Sequence, residues 1–261
     1  MENLISRSSL FFVMMMSMVC DARETLDIET LPTLRSAQYS VEPYKKIVVL
    51  SAPRTGSTLA YNVFRFLFED ETNLSCPHDA FNQNCTVLKT HRIHDLNLLK
   101  EKNVLFVVTI RNPINAIVSN YRIWLSPIFK IKDFARVLLY QQRDFLIFYE
   151  KLKKNGRNVV IIKYEDFEDN LDFFFDLIEN HFSITIDDQA KAIIKEGYDK
   201  ENIYSSTASF LDFKEYLPIS GFHGKHVSLE KQTPPDKLLY WINHYLRGVK
   251  PIYKKYGYFL E

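Results

Sequence analysis

The sequence predicts an α/β fold in which helices cover both faces of a parallel β-sheet, giving three layers. Two observations predict it. Short runs of β-branched and apolar residues, typical of buried strands, alternate with segments of helical periodicity. Cationic or imidazole side chains follow these runs, at the edge of a parallel sheet where ligands bind. The four predicted strands are 47–50, 86–89, 104–110 and 159–162.

A short polar loop follows the first strand and precedes a segment of helical periodicity. A strand, a loop and a helix in this order form an anion cradle, because the loop N–H groups and the helix N-terminus converge. The candidate binding groups are the guanidinium of Arg54, the backbone at Gly56 and the hydroxyls of Thr55, Ser57 and Thr58. The loop is not a nucleoside-triphosphate P-loop, which needs two glycines followed by Lys and Ser/Thr. Taken alone, it is also compatible with an ordinary βα turn.

Helical segments follow the other strands. Asn112 and Pro113 are expected to begin a helix over 114–124, because Asn caps helix N-termini and Pro fits the first turn. Asn155-Gly156 is expected to end a longer helix over 134–152. The remaining predicted segments are helices at 169–182 and 187–196, mixed structure at 198–218, a loop at 219–228 and a helix at 234–256 interrupted near Gly248 and Pro251.

Composition is that of one globular α/β domain without a strong global charge. The chain has 261 residues, 46% of them hydrophobic and 25% charged, and a formal net charge of +1. A net charge this small provides no general attraction for nucleic acid, so any anion site must be local. Three cysteines are too few for a disulfide scaffold; Cys76 and Cys85 are expected either to pair or to remain two thiols.

The N-terminal segment 1–22 contains the apolar run Leu10–Val19, which is shorter than the ~20 residues that span a bilayer. It is typical either of a signal peptide or of a packed N-terminal helix. A signal peptide would place the protein in the secretory pathway or outside the cytoplasm, and its absence would leave it in the cytoplasm. Residues 23–45 are interpreted as a linker and 46–261 as one domain.

Four motifs, in order over residues 46–258, resemble those of the sulfotransferases that use 3′-phosphoadenosine 5′-phosphosulfate (PAPS). Each motif is weak alone, but their order and their positions at strand ends make the combination specific. The matching segments are Ala52–Thr58 (APRTGST) for the 5′-phosphosulfate loop, Val87–His91 (VLKTH) for the strand with the general base, Thr109–Pro113 (TIRNP) with Ser119 for the 3′-phosphate site, and Lys163–Asp166 (KYED) for the segment whose Tyr lies near the adenine.

The resemblance implies a P-loop-like sulfotransferase fold and in-line transfer of a sulfuryl group from PAPS to a hydroxyl or amine. It implies that Arg54 and the amides of 56–58 hold the leaving 5′-phosphate. Lys89 would contact the bridging oxygen or the sulfuryl group, and His91 would take the acceptor's proton. It implies no metal. His94 is the alternative base.

The resemblance also implies a donor-binding set that includes Arg111, Ser119 and Tyr164. A late loop of the family, R-K-G-x-x-G-x-W, is only echoed here, because Ser220 stands where Arg is expected. The donor-binding candidates in this loop are Gly221, Gly224, Lys225 and His226. Glu165 and Asp166 are expected to cap the following turn.

Two other functions are compatible with parts of the sequence. One is a kinase-like phosphotransferase, against which the missing Gly-Lys-Ser/Thr argues. The other is a nucleotide-binding relative without catalysis. The expected partner is a small-molecule or glycan acceptor. Arg54 in place of the Lys of the cytosolic branch favours a carbohydrate, because Arg at this position is more like the carbohydrate and bacterial branches.

Overall fold

The structure is a computed structural model that describes residues 39–69, 85–93, 101–123, 130–210, 221–222 and 233–259, with only the backbone of 122 and 123. These residues form four strands and eight helices. In chain order they are β1 (Lys46–Leu50), α1 (Ser57–Phe68), β2 (Val87–Thr90), β3 (Val104–Ile110), α2 (Pro113–Ile123), α3 (Ile131–Lys154), β4 (Asn158–Lys163), α4 (Tyr164–Phe167), α5 (Asp172–Phe182), α6 (Asp188–Tyr198), α7 (Lys200–Thr207) and α8 (Asp236–Lys254).

The four described strands form one parallel sheet in the order β2-β1-β3-β4. All seven residues of β3 are buried, as its continuous apolar run predicts. The chain moves from β1 to one side of the sheet and from β3 to the other side. A topological switch point therefore lies between β1 and β3, where open parallel sheets place their ligand crevice.

Helices cover both faces of the sheet, which confirms the predicted α/β class. Alternate strand residues face opposite layers, so Val48 and Phe106 pack toward α3 and α8. Val49 and Leu105 pack on the other face, toward α1, α5 and α6. The two apolar clusters fix the strands from both sides and leave the strand ends to form the site.

Two of the predicted helix boundaries are confirmed. The side chain of Asn112 accepts a hydrogen bond from the N–H of Ile114 at 3.0 Å, and Pro113 is the first residue of α2. Asn155 caps the end of α3, and Gly156 follows with a left-handed φ of 67°. Local capping residues therefore mark these two ends.

One prediction about the last third of the chain is wrong. Helix α8 passes through Gly248 and Pro251 without the expected interruption. Pro251 lies in the last turn, where one lost hydrogen bond is offset by the burial of Val249 and Tyr253 on either side. Helix α7 lies within 198–218, the segment expected to have mixed structure. The Asp199 carboxylate begins it by accepting the N–H groups of Glu201 and Asn202 at 2.8 and 3.3 Å.

Several expectations fall on residues that the structure does not describe. The predicted signal segment, Cys76, His94, and the late-loop residues Gly224, Lys225 and His226 all lie outside the described residues. Cys85 is buried and disulfide-bonded, and its partner also lies outside them. Within the described residues, no helix has the length and apolarity needed to cross a membrane. The division into signal segment, linker and domain stays a prediction.

Glu69 provides a test of how the second strand is held. Its buried carboxylate accepts the N–H groups of Thr86 and Val87 at 3.2 and 2.7 Å, which joins the end of α1 to the start of β2. We expect Glu69→Ala to lower the free energy of unfolding by about 2–4 kcal/mol, because two N–H groups lose their acceptor. Urea denaturation measures the loss.

The matched control is Glu201→Ala, which removes an exposed carboxylate from α7. Glu69→Gln retains one carbonyl acceptor, so its loss of unfolding free energy should lie between those of Glu69→Ala and Glu201→Ala. A loss in Glu69→Ala no larger than in Glu201→Ala would show that this carboxylate does not anchor β2.

Candidate active site

The loop that joins β1 to α1 crosses the carboxyl edge of the sheet at the switch point. Two of its residues have left-handed backbone conformations: Arg54 with φ of 67° and Gly56 with φ of 85°. For Arg54 this conformation costs about 1–2 kcal/mol, because its Cβ approaches the following carbonyl oxygen. Non-glycine residues retain such a conformation where the surrounding structure imposes it, which is common at functional sites.

A buried set of hydroxyl groups holds the loop from below. The Ser51 hydroxyl accepts the backbone N–H and the hydroxyl of Thr109, both at 2.9 Å. The Thr55 hydroxyl donates to the Ala52 carbonyl at 2.8 Å and lies 2.9 Å from the Thr109 hydroxyl. The Thr55 side chain therefore has an internal role, which differs from the expectation that its hydroxyl donates to a bound anion.

The position of Gly56 requires a residue without a side chain. A Cβ atom built on it would lie 2.5 Å from Cδ2 of Tyr164 and 2.6 Å from Cζ of Phe167. These two rings belong to α4, which follows β4, so Gly56 allows the first loop to pack directly on the end of the last strand. Two distant segments of sequence thus meet at one glycine.

Two arginines and a serine from three different elements form one hydrogen-bonded unit. Nε of Arg54 donates to the Ser119 hydroxyl at 3.0 Å, and Nη1 of Arg111 donates to the Arg54 carbonyl at 3.3 Å. The Arg111 guanidinium also lies over the Tyr164 ring, 3.9 Å from its centroid. The buried Nε of Arg111 has no hydrogen-bond partner among the described residues.

Tyr164 supports this unit in its neutral form. Burial raises the pKa of its phenol, and the nearby positive charge of Arg111 opposes part of that rise. The electron-rich face of the neutral ring contacts the guanidinium, and the ring edge packs against Gly56. Tyr164 therefore positions both the loop and Arg111.

The end of β2 brings Lys89 and His91 beside the same loop. Nζ of Lys89 donates to the Thr58 hydroxyl at 2.8 Å, in the first turn of α1. Nδ1 of His91 lies 2.6 Å from the Ser51 carbonyl oxygen. A carbonyl can only accept, so Nδ1 carries the hydrogen, and Nε2 of the neutral ring is the atom able to take a proton.

Glu165 braces the site and does not cap α4, contrary to the expectation. Helix α4 has no side-chain cap. One carboxylate oxygen of Glu165 accepts the backbone N–H of Asn112 at 2.9 Å, and the other accepts the Tyr258 hydroxyl at 2.6 Å. Burial and this carboxylate raise the pKa of Tyr258, so the phenol remains a donor. The loop after β3 is thereby tied to the C-terminal turn.

The structure thus brings most of the predicted site residues to one edge of the sheet. Gly221 is described, with a left-handed φ of 66°, and precedes the buried Phe222. Sequence reasoning missed the supporting residues Ser51, Thr109 and Phe167. Thr109 carried a signal, because it is the one hydroxyl-bearing residue in the otherwise apolar run 104–110.

Comparison with solved structures identifies the fold. The crystal structure of mouse sulfotransferase SULT7A1 complexed with PAP superposes with a TM-score of 0.54 at 16% identity, covering 86% of this chain and 90% of that one. No family model matches the chain, and no curated protein matches it. The chain therefore has a sulfotransferase-like fold.

Gly56 allows the packing between the loop and α4 to be tested. We expect Gly56→Ala to lower the free energy of unfolding by about 2–4 kcal/mol, because the new methyl group overlaps the Tyr164 and Phe167 rings in addition to the cost of the left-handed backbone. Denaturant unfolding measures the change.

Gly156→Ala is the matched control. Gly156 also has a left-handed φ, of 67°, but a Cβ there meets nothing within 4 Å. The free energy of unfolding should therefore fall by only about 1 kcal/mol in Gly156→Ala. Equal losses in the two variants would mean that close packing at Gly56 contributes nothing beyond backbone conformation.

Proposed function

We propose that the protein is a sulfotransferase that moves a sulfuryl group from PAPS to a hydroxyl or amine of an acceptor. The observation that carries the proposal is the unit formed by Arg54, Arg111 and Ser119 beside the first loop. Three elements converge there on a small region rich in N–H and O–H donors. A sulfotransferase of the same fold has been solved with PAP, which supports PAPS as the donor.

The residues fit a nucleotide that carries two separate phosphate groups. For the 3′-phosphate, the Ser119 hydroxyl and the guanidinium of Arg111, whose Nε has no hydrogen-bond partner among the described residues, supply donors. For the 5′-phosphate, the N-terminus of α1 supplies backbone N–H groups. Gly56 offers this helix no side-chain cap, and its first turn contains no acidic residue. The positive end of the helix dipole thus faces the loop without a competing carboxylate.

Arg54 lies between the two phosphate positions. Its backbone belongs to the loop at the 5′-phosphate, and its side chain reaches the Ser119 hydroxyl at the 3′-phosphate. We infer that Arg54 binds oxygens of both phosphate groups of the donor and so orients the donor in the site. An arginine suits this position because it keeps its charge and binds two oxygens at once.

PAPS supplies the sulfuryl group on a phosphate leaving group. In the proposed reaction the acceptor oxygen forms a bond to sulfur while the bond from sulfur to the bridging oxygen breaks, leaving negative charge on the 5′-phosphate. The amides of 56–58 and Lys89 stabilise that charge. Nε2 of His91 takes the acceptor's proton, since Nδ1 is held by the Ser51 carbonyl.

Donor binding can be tested without knowing the acceptor. We expect PAP to raise the Tm of the full chain, because a ligand that binds only the folded state stabilises it by about 2.7 kcal/mol at one hundred times its Kd. Arg111→Ala should abolish the shift, and Arg111→Lys should retain part of it, since Lys supplies charge without the planar fork. Differential scanning fluorimetry measures both.

Arg247→Ala is the control, because Arg247 is an exposed arginine of α8 far along the chain from the loop. It should retain the full shift with PAP. Adenosine 5′-phosphate, which lacks the 3′-phosphate, should give a smaller shift. No stabilisation by millimolar PAP, or a larger one by ATP with Mg²⁺, would reject this donor.

The role of His91 is tested by separating binding from transfer. With an acceptor found by screening with labelled PAPS, we expect His91→Ala to reduce transfer by about 10²–10⁴-fold, the usual contribution of a general base. The Tm shift with PAP should be unchanged in this variant. Unchanged transfer would assign proton removal to another group, and absent transfer in the parent chain with intact PAP binding would indicate a non-catalytic relative.

A further inference from the structure

The outer face of α3 and α8 carries five aromatic or imidazole side chains, here called the aromatic strip: Tyr140, Tyr240, Trp241, His244 and Tyr245. Neither the donor site nor the proposed transfer step uses these side chains. Tyr240 is 62% exposed, which makes it the most exposed large hydrophobic side chain among the described residues. His244 is also exposed, whereas Tyr140, Trp241 and Tyr245 are half-buried and pack against the core, so only part of each of these three rings is accessible.

The rings of the strip are held in a continuous row. Tyr240 stacks on His244 with centroids 6.5 Å apart, and Trp241 stacks on Tyr245 at 6.0 Å. Edge contacts join the two stacks, and Tyr245 reaches Tyr140 of α3 at 6.4 Å. Because each ring is supported by a neighbour, a ligand that stacks on the row does not have to order flexible side chains.

Cations flank the row on the α3 side. Nζ of Lys132 lies 4.9 Å from the Trp241 ring centroid, and the Arg143 guanidinium lies 4.7 Å from that of Tyr140. Arg143 also pairs with Asp144. Lys132 is exposed and has no carboxylate partner in the part of the chain that the structure describes, so an anionic group of a ligand can pair with it.

The two helices that carry the strip also line the candidate active site. One small cavity at the carboxyl ends of the strands is lined by Arg111, by Tyr253 of α8, and by Gln142, Phe145, Leu146 and Tyr149 of α3. From there α3 runs on to β4, which begins at the opposite edge. Its first ten residues, 131–140, precede the residues that line the cavity and span about 15 Å, at a helical rise of about 1.5 Å per residue. Trp241 and Tyr245 of α8 pack beside this part of α3, against Lys132 and Tyr140 respectively.

We propose that the aromatic strip binds an acidic glycan, meaning an oligosaccharide chain with carboxylate or sulfate groups, and presents it to the proposed transfer site. Sugar rings have apolar C–H faces that stack on aromatic rings and polar edges that remain in water, which suits Tyr, Trp and His. Lys132, which has no carboxylate partner among the described residues, matches the anionic groups of such a chain. The acceptor role rests on the proposed function, whereas glycan binding by the strip does not.

The chemistry of the face favours a glycan over a membrane surface. A helix that lies on a membrane presents a broad apolar face of residues such as Trp, Phe and Leu. Only Ile147, Tyr204 and Tyr240 are large exposed hydrophobic residues among those described, and two of them carry hydroxyls. On α8 the polar residues Asn243 and Arg247 also face solvent. The strip therefore supplies stacking surfaces interrupted by hydrogen-bonding groups.

Calorimetric titration of the full chain with three hexasaccharides tests the proposal: a heparin-derived one with carboxylates and sulfates, a hyaluronan one with carboxylates only, and neutral maltohexaose. We expect both acidic chains to bind and the neutral one to bind at least tenfold more weakly. Tyr240→Ala and Lys132→Gln should each weaken acidic binding about five- to tenfold, the size of one ring or charge contact. Tyr204→Ala and Lys153→Gln are matched controls, since both residues are exposed and lie elsewhere.

Four outcomes would overturn the proposal: no binding of either acidic chain at millimolar concentration, equal binding of the neutral one, equal weakening by the control variants, or Tyr240-dependent binding to phosphatidylserine vesicles that exceeds glycan binding. The PAP-induced Tm shift is measured on the same variants. If PAP still raises the Tm but no glycan binds, only the proposed glycan site is rejected. If a glycan binds but PAP does not raise the Tm, only the proposed donor is rejected.

Discussion

The candidate site depends on the buried hydroxyl groups of Ser51, Thr55 and Thr109, which satisfy one another beneath the first loop. The loop needs such a support because Arg54 adopts a left-handed conformation, which is unfavourable for a residue with a side chain. With the loop fixed, Arg54 is directed along the sheet edge toward Ser119. The position of the Arg54 side chain is thus determined by polar groups that are themselves buried.

A second constraint comes from the close packing of the loop on α4. Since Gly56 lies against Tyr164 and Phe167, the end of β1 and the end of β4 hold a fixed separation even though β3 lies between them. Tyr164 then supports Arg111 from the other side. The cationic groups therefore rest on a rigid frame of rings and strands, which is the preorganisation that charge stabilisation requires.

Much of this frame was predictable from local patterns. The β-branched runs located all four described strands to within one residue at every end, and Asn112-Pro113 and Asn155-Gly156 marked helix ends, because strand burial and capping depend on neighbouring residues. The inward turn of the Thr55 hydroxyl, the bracing role of Glu165 and the continuity of α8 through Pro251 depend on partners distant in sequence. The aromatic strip escaped detection for the same reason, since it combines residues of α3 and α8.

The link from Glu165 to Tyr258 has a practical consequence for handling the protein. The last described turn, near Gly257, lies against Lys163, and Tyr258 shares the carboxylate that holds the Asn112 amide. Shortening the chain before Tyr258 would remove one of the two donors to the Glu165 carboxylate, which also holds the Asn112 amide next to Arg111.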